Sequence, residues 1–332
     1  MEFAFSAEQT ELASTVRALL AKRADSRAVR EAMVSAAGYD EALWQILCEQ
    51  IGAAALGIPE DYDGAGFTLF EAMIVLEEVG RSLAPSPLLS SLVTAEALLA
   101  GADEEAKQRL LPRIAAGEVA AFASGDGPVL DGDRATVLVA ATDDGLVEVD
   151  PDSATRTWVE SMDQTIRLAR VDLSGADTTP IGDAAAADAA VARAGLVGAV
   201  GTTALQAGLA ARALDMTVSY SKDRVQFGRP IGSFQALKHR MADMLVLLEM
   251  SRSASWAASY AVSRSTDNAA ALTHIAKSYC TDALAQIAGE TVQLHGGIAI
   301  TWEHDAHLAF KRAHALGQLF GAAHEHRALI EL

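Results

Sequence analysis

The sequence predicts a mostly α-helical protein with a small β middle domain. Three observations carry that reading. Apolar residues recur at helical spacing through the first third of the 332-residue chain and again through its last half. Between these stretches lie short runs rich in Val, Thr and Ile, some separated by Asp-Gly turns, which is a strand signature. No run approaches the roughly 18 uninterrupted apolar residues of a membrane span. The expected organisation is an N-terminal helical domain over 1–120, a reduced β domain over 121–185 and a C-terminal four-helix bundle over 186–332.

The first helix is expected in "SAEQTELASTVRALLAKRA". Ser6 offers an N-cap oxygen and Glu8 a negative charge in the first turn, and Leu12, Val16, Leu19 and Leu20 then share a face. "DEALWQILCEQIGAAAL" and "TLFEAMIVLEEVGRSLA" carry the same period, with the turn-rich loop "GIPEDYDGAGF" between them. "DEEAKQRLLPRIAAGE" adds a helix with Gly117 near its end. The middle region reads as strands at "ATVLVAAT", "GLVEVD", "TWVESM" and "IRLARVDL", and "SGADTTPIGDAAAADAA" as a linker running into a helix. A long helix follows, studded with Gly and Ala that allow close helix approach. The next carries a stripe of Leu237, Met241, Met244, Leu245 and Leu248. A third ends at the pair Gly296-Gly297, and a fourth starts near "WEHDAHLAFKRA".

Composition narrows the function classes. Asp and Glu number 44 against 26 Lys and Arg, a formal charge of −18, which argues against nucleic acid or an anionic membrane as partner. The start, "MEFAFSAEQTELA", has no basic region and no apolar core, so no signal peptide is expected and the chain reads as cytoplasmic. Cys48 and Cys280 lie far apart and read as two reduced thiols. His295, His304, His307, His314, His324 and His326 gather towards the C-terminus, and structural histidines are expected there, with no metal site.

Two loops stand out. "RVQFGRPIGSFQ" places Arg224, Gln226 and Phe227 at a helix end: a planar guanidinium suited to phosphate oxygens, next to an aromatic face. "QLHGG", residues 293–297, puts two glycines where a backbone meets a diphosphate closely. Each alone is explained by ordinary helix termination; together they suggest more.

"RVQFGRPIGSFQALKHRMADM" and "QLHGGIAITWEHDAHLAFKRA" resemble the two C-terminal motifs of the acyl-CoA dehydrogenase family. "GIPEDYDGAGFTLFEAMIVLEEVGRSLA" and "LLPRIAAGEVAAFA" resemble its N-terminal domain and the entry to its β domain, so the likeness spans nearly the whole chain. The resemblance implies a fold of helical domain, β domain and four-helix bundle, usually in tetramers, with FAD between subunits. It implies that Arg224 and Gln226 contact the pyrophosphate of a neighbour's FAD with Phe227 beside them. Phe234 and Gln235 would then line the adenine side, and Gln293, Gly296 and Gly297 complete the site.

The same resemblance exposes what is missing. The family's reaction needs a carboxylate base. Its usual position matches Gly321, nine residues after Arg312, and its other known position matches Gly198. No Asp or Glu occurs over 306–324 or 189–214. The middle segments that hold flavin in cis are also absent, as is the CoA-binding Arg of the first bundle helix. The resemblance therefore implies a non-catalytic subunit of a heteromeric, FAD-dependent acyl-CoA dehydrogenase. Its partner would be a homologous catalytic subunit in an α2β2 heterotetramer, binding most of the acyl-CoA and completing a flavoprotein oxidoreductase of lipid metabolism. Actinobacterial heterotetramers acting on steroid side-chain CoA thioesters, as in cholesterol degradation, are the type it resembles. Two alternatives stay open. One is a self-sufficient dehydrogenase with a relocated base, for which Glu303 and Asp305 are the nearest acids, although Glu303 reads as a helix-start residue. The other is a flavin-free scaffold subunit.

Overall fold

The computed structural model describes residues 4–330. The N-terminal third contains α1 (Ala7–Arg23), α2 (Ser26–Val34), α3 (Glu41–Ile46), α4 (Leu69–Ser82), α5 (Leu88–Gly101) and α6 (Glu104–Ala115). Ser6 does cap α1: its hydroxyl accepts from the Gln9 amide, and the Gln9 side chain accepts from the Ser6 amide, a reciprocal box that satisfies two orphan donors. Thr68 and Glu71 make a second such box at α4. The expected helix through "DEALWQILCEQIGAAAL" is shorter than its apolar period suggests. A π turn over Leu47–Ile51 follows α3, and Gly52, in the left-handed region at φ 72°, ends it.

The middle region forms two small sheets. One is ordered β1 (Ala120–Ser124), β3 (Val137–Thr142), β4 (Gly145–Val149), β7 (Thr178–Gly182). The other is ordered β2 (Val129–Leu130), β6 (Leu168–Asp172), β5 (Thr155–Val159). The β1–β3 pair is parallel and the others are antiparallel. The segment expected as a linker holds β7, an edge strand with Pro180 paired opposite Val147. Pro has no amide to donate and is tolerated at such an edge. Asp183 then caps the next helix by accepting from the Ala186 amide.

That helix, α7 (Ala184–Asp223), is 40 residues long. It has the length and hydropathy of a membrane span, yet 89% of its most apolar window is buried inside the fold, which makes it a core helix. It is followed by the hairpin β8 (Val225–Gln226) and β9 (Arg229–Pro230), then α8 (Gln235–Ser263), α9 (Ala269–His295), α10 (Ala306–Gln318) and α11 (Ala323–Ala328). Helices α7 to α10 make the bundle, and α7 also packs on α4 and α5. Its glycines permit this. A Cβ on Gly208 would overlap the Glu77 carbonyl of α4, and one on Gly80 of α4 would overlap the Leu205 carbonyl of α7. In the α8 stripe Met244 and Leu248 are buried, whereas Leu245 turns outward at 48% exposure.

Candidate functional site: an exposed loop and a cavity at Phe320

The helices that lead into the two motif loops, α7 and α9, meet at one end of the bundle. Arg224 is the C-cap of α7, its amide donating to the Tyr220 carbonyl. Gln293 lies in the last turn of α9, two residues before His295. Tyr220 and His295 stack with ring centroids 4.5 Å apart, and His304 sits 4.5 Å beyond His295. Two stretches far apart in sequence are thereby coupled through aromatic contact. His295 Nδ1 faces the Thr291 carbonyl at 2.7 Å, so this nitrogen carries the proton. Burial lowers the pKa of both His295 and His304, which favours neutral rings in the stack.

The loop itself is strained and open. Phe227 at φ 53° and Gly228 at φ 77° make the turn of the β8–β9 hairpin, and Phe227 is 92% exposed. A left-handed phenylalanine costs on the order of 1–3 kcal/mol in backbone strain, and with its ring in water it returns little packing within the chain. Phe227 meets Phe234 edge-to-face at 6.1 Å, and the Arg229 guanidinium lies 4.0 Å over the Phe234 ring. Gln235 is exposed at the start of α8. Gln293, Gly296 and Gly297 are exposed too, and a Cβ on Gly228, Gly296 or Gly297 would find no atom within 4 Å. None of the ion pairs among the described residues uses Arg224. An unpaired cation, an uncovered ring and an open glycine surface suit an extended anion with an aromatic end.

The two positions matched to the base adjoin each other in space. Gly198 lies on α7, and the place of a Cβ there is filled by the Phe320 ring. Gly321 follows at φ 101°. Beside them is a cavity of about 370 Å³, bounded by Ser90 and Val93 of α5, Phe122 of β1, Leu130 of β2, Val191, Ala194 and Gly195 of α7, and Leu319 and Phe320. No carboxylate among the described residues lines it.

The buried acids elsewhere are engaged. Glu77 accepts from Arg252 and Trp256, Glu78 from Arg17, Glu96 from Arg193, and Asp305 from Ser26 and Arg30. Asp305 therefore ties α2 to the start of α10, and its neighbours hold its pKa down despite burial. Glu303 is exposed, its amide donating to Thr301. Two acids stand apart. Burial raises Asp163, whose Oδ2 has no partner among the described residues, and Arg312 is the cation nearest it in effect. Burial also raises Asp131, to about 7. Both lie outside the walls of the cavity. The thiols of Cys48 and Cys280 are free, and burial pushes both up to about 12, away from reactivity. No group of His, Cys, Asp and Glu among the described residues has the makings of a metal site.

Residues 6–118 match the acyl-CoA dehydrogenase N-terminal domain and residues 190–331 the C-terminal domain. The chain is 47% identical over 320 residues to the acyl-CoA dehydrogenase IpdE2 of Mycobacterium tuberculosis, covering 96% of this chain and 94% of that one. Among solved structures it resembles the ChsE4–ChsE5 complex from Mycobacterium tuberculosis, at TM-score 0.86 and 25% identity over 99% of this chain and 98% of that one. It also resembles the Tcur3481–Tcur3483 steroid ACAD, solved as a G363A variant, at TM-score 0.85 and 26% identity over 97% of this chain and 96% of that one.

Proposed function

The chain belongs to the acyl-CoA dehydrogenase family, and from that premise we propose that it is the non-catalytic subunit of a heteromeric dehydrogenase. The observation that carries the proposal is the contrast between its two ends. Arg224, Phe227, Gly296 and Gly297 are uncovered by the chain's own residues, whereas Phe320 occupies the space over Gly198. The exposed end fits the ADP half of FAD bound to a neighbouring subunit. Arg224 and Gln226 hold the diphosphate, with Phe227 beside them. Phe234 and Gln235 flank the adenine, and Gln293 with the two glycines closes over it. When bound, FAD supplies the hydride acceptor for α,β-dehydrogenation of an acyl-CoA. The residues of this chain bind and orient it, and the partner provides the base and the acyl pocket. The likeness to two-component dehydrogenases supports a homologous partner in an α2β2 arrangement. The steroid enzyme among them makes a steroid side-chain acyl group the expected substrate class.

The test is flavin content. Alone, the chain should bind little or no FAD and should show no bleaching with any acyl-CoA; co-purified with its partner, the complex should hold about one FAD per two chains. Arg224→Ala in this chain should weaken FAD binding by the complex roughly 10- to 100-fold, as a charge-assisted contact of ~1.5–3 kcal/mol requires. Unchanged flavin content in that variant would favour the scaffold reading. A chain that is yellow and active by itself would favour a relocated base.

A further inference from the structure

The space over Gly198 is held shut by an arrangement that the loss of a base does not require. Phe320 sits at φ 53° and Gly321 at φ 101°, two successive left-handed residues directly after α10 and Leu319. The first of these conformations is sparsely populated for a bulky residue and persists only when its surroundings fix it. Three side chains supply the fixing. Lys277 of α9 is fully buried. Its ammonium faces the carbonyls of Leu316, Gly317 and Gly321 at 3.4, 3.4 and 2.8 Å and the Thr281 hydroxyl at 3.3 Å. No carboxylate among the described residues pairs with it, so the terminal carbonyls of α10 and the Gly321 carbonyl are its compensation for leaving water. His326 Nε2–H donates to the Phe320 carbonyl at 2.8 Å. Its Nδ1 therefore accepts from His274 Nδ1–H, 2.9 Å away.

The Phe320 ring so held rests against Gly198. Val191, Ala194 and Gly195 line the 370 Å³ cavity from α7, but Gly198, the next residue along that helix face, does not. The ring stands between.

From this juxtaposition we propose that Lys277 is a positioning residue. It holds Phe320 against Gly198 as a plug, so that this chain's own acyl chamber is closed by shape as well as emptied of its base. The proposal builds on the reading of a non-catalytic chain.

A coupling experiment on the full chain tests it. Gly198→Ala should lower the thermal midpoint by about 2–4 °C, because the added methyl meets the ring. In a Phe320→Ala background the same change should leave the midpoint level or raise it, since alanine is the better helix former once the obstacle is gone. In a Lys277→Met background the Gly198→Ala penalty should fall by at least half, because the ring is then free to withdraw. Lys277→Gln keeps an amide donor and serves if the methionine variant does not fold; it should give a smaller reduction of the same sign. An equal Gly198→Ala penalty with and without Phe320 overturns the plug. A penalty unchanged by either Lys277 variant overturns the role of the lysine. The measurement involves no flavin, so failure of the Arg224 experiment leaves this proposal standing, and the reverse holds too.

Discussion

Asp131→Asn should stabilise the protein at pH 8 and flatten its dependence on pH. Asp131 is buried at φ 52° in the turn after β2, where burial, opposed by Ser90, lifts its carboxyl from 3.8 to about 7. Asp133 raises it further and Arg167 lowers it. Ser90 Oγ lies 2.9 Å from the Pro87 carbonyl and 2.7 Å from Asp131 Oδ2. A hydroxyl has one proton: donated to Asp131 Oδ2 it favours the carboxylate, and turned instead to the Pro87 carbonyl it leaves Ser90 Oγ to accept from Asp131 only when that carboxyl is protonated. In the unfolded chain the carboxyl ionises near 3.8, while the folded chain keeps its proton up to about 7. Stability from this group is therefore full below 3.8, falls as pH rises, and is gone above about 7. The lift is worth up to roughly 4 kcal/mol. Asparagine can donate to Ser90 at every pH and tolerates the left-handed backbone. Denaturant melts from pH 4.5 to 8.5 should show the variant gaining on the parent as pH rises; parallel curves would mean that Asp131 is ionised throughout.

Gly208→Ala should be the most damaging single methyl in the bundle, costing about 3 kcal/mol or more in a denaturant titration. Its Cβ would overlap the Glu77 carbonyl and crowd the Arg81 amide, both backbone groups of α4 that no rotamer change can move. Glu77 also anchors Arg252 and Trp256 of α8, so a shifted α4 disturbs three helices. Gly289 of α9 is the internal control: a Cβ there finds nothing within 4 Å, and alanine should stabilise by up to ~1 kcal/mol. Equal effects at the two sites would mean that the α4–α7 crossing is looser than described.

Much of the fold was legible because local signals agreed with it. Ser6 caps α1 as its chemistry suggests; the runs expected as strands over 135–142, 145–150 and 166–173 hold β3, β4 and β6, whereas the run expected over 157–162 shares only 157–159 with β5. Part of what escaped had lost its period, although the short α2 over Ser26–Val34 keeps one buried face. Helix α5 is buried on every side from Leu88 to Leu98, between α7 and β1, so no polar face marks it as amphipathic. Strand β7 reads as a loop because its Thr, Thr and Pro suit an exposed edge. The site divides in the same way. Arg224, Gln293 and the glycines carry their motifs in the sequence, but their meeting through Tyr220 and His295 is a tertiary fact. Phe320 gave no signal, since a plug differs from any core phenylalanine only by what lies opposite it. The complementary sign was the missing side chain at Gly198, which read as a loss and is also the room the ring needs.

The long helix α7 carries Gly198 in its first half and delivers Arg224 at its C-terminal end, a span of about 39 Å at 1.5 Å per residue. Perturbations that far apart with no shared partner add independently in free energy. A substitution at Gly198 and one at Arg224 should therefore shift stability by amounts that simply sum, so each end of this rod can be altered without altering the response of the other.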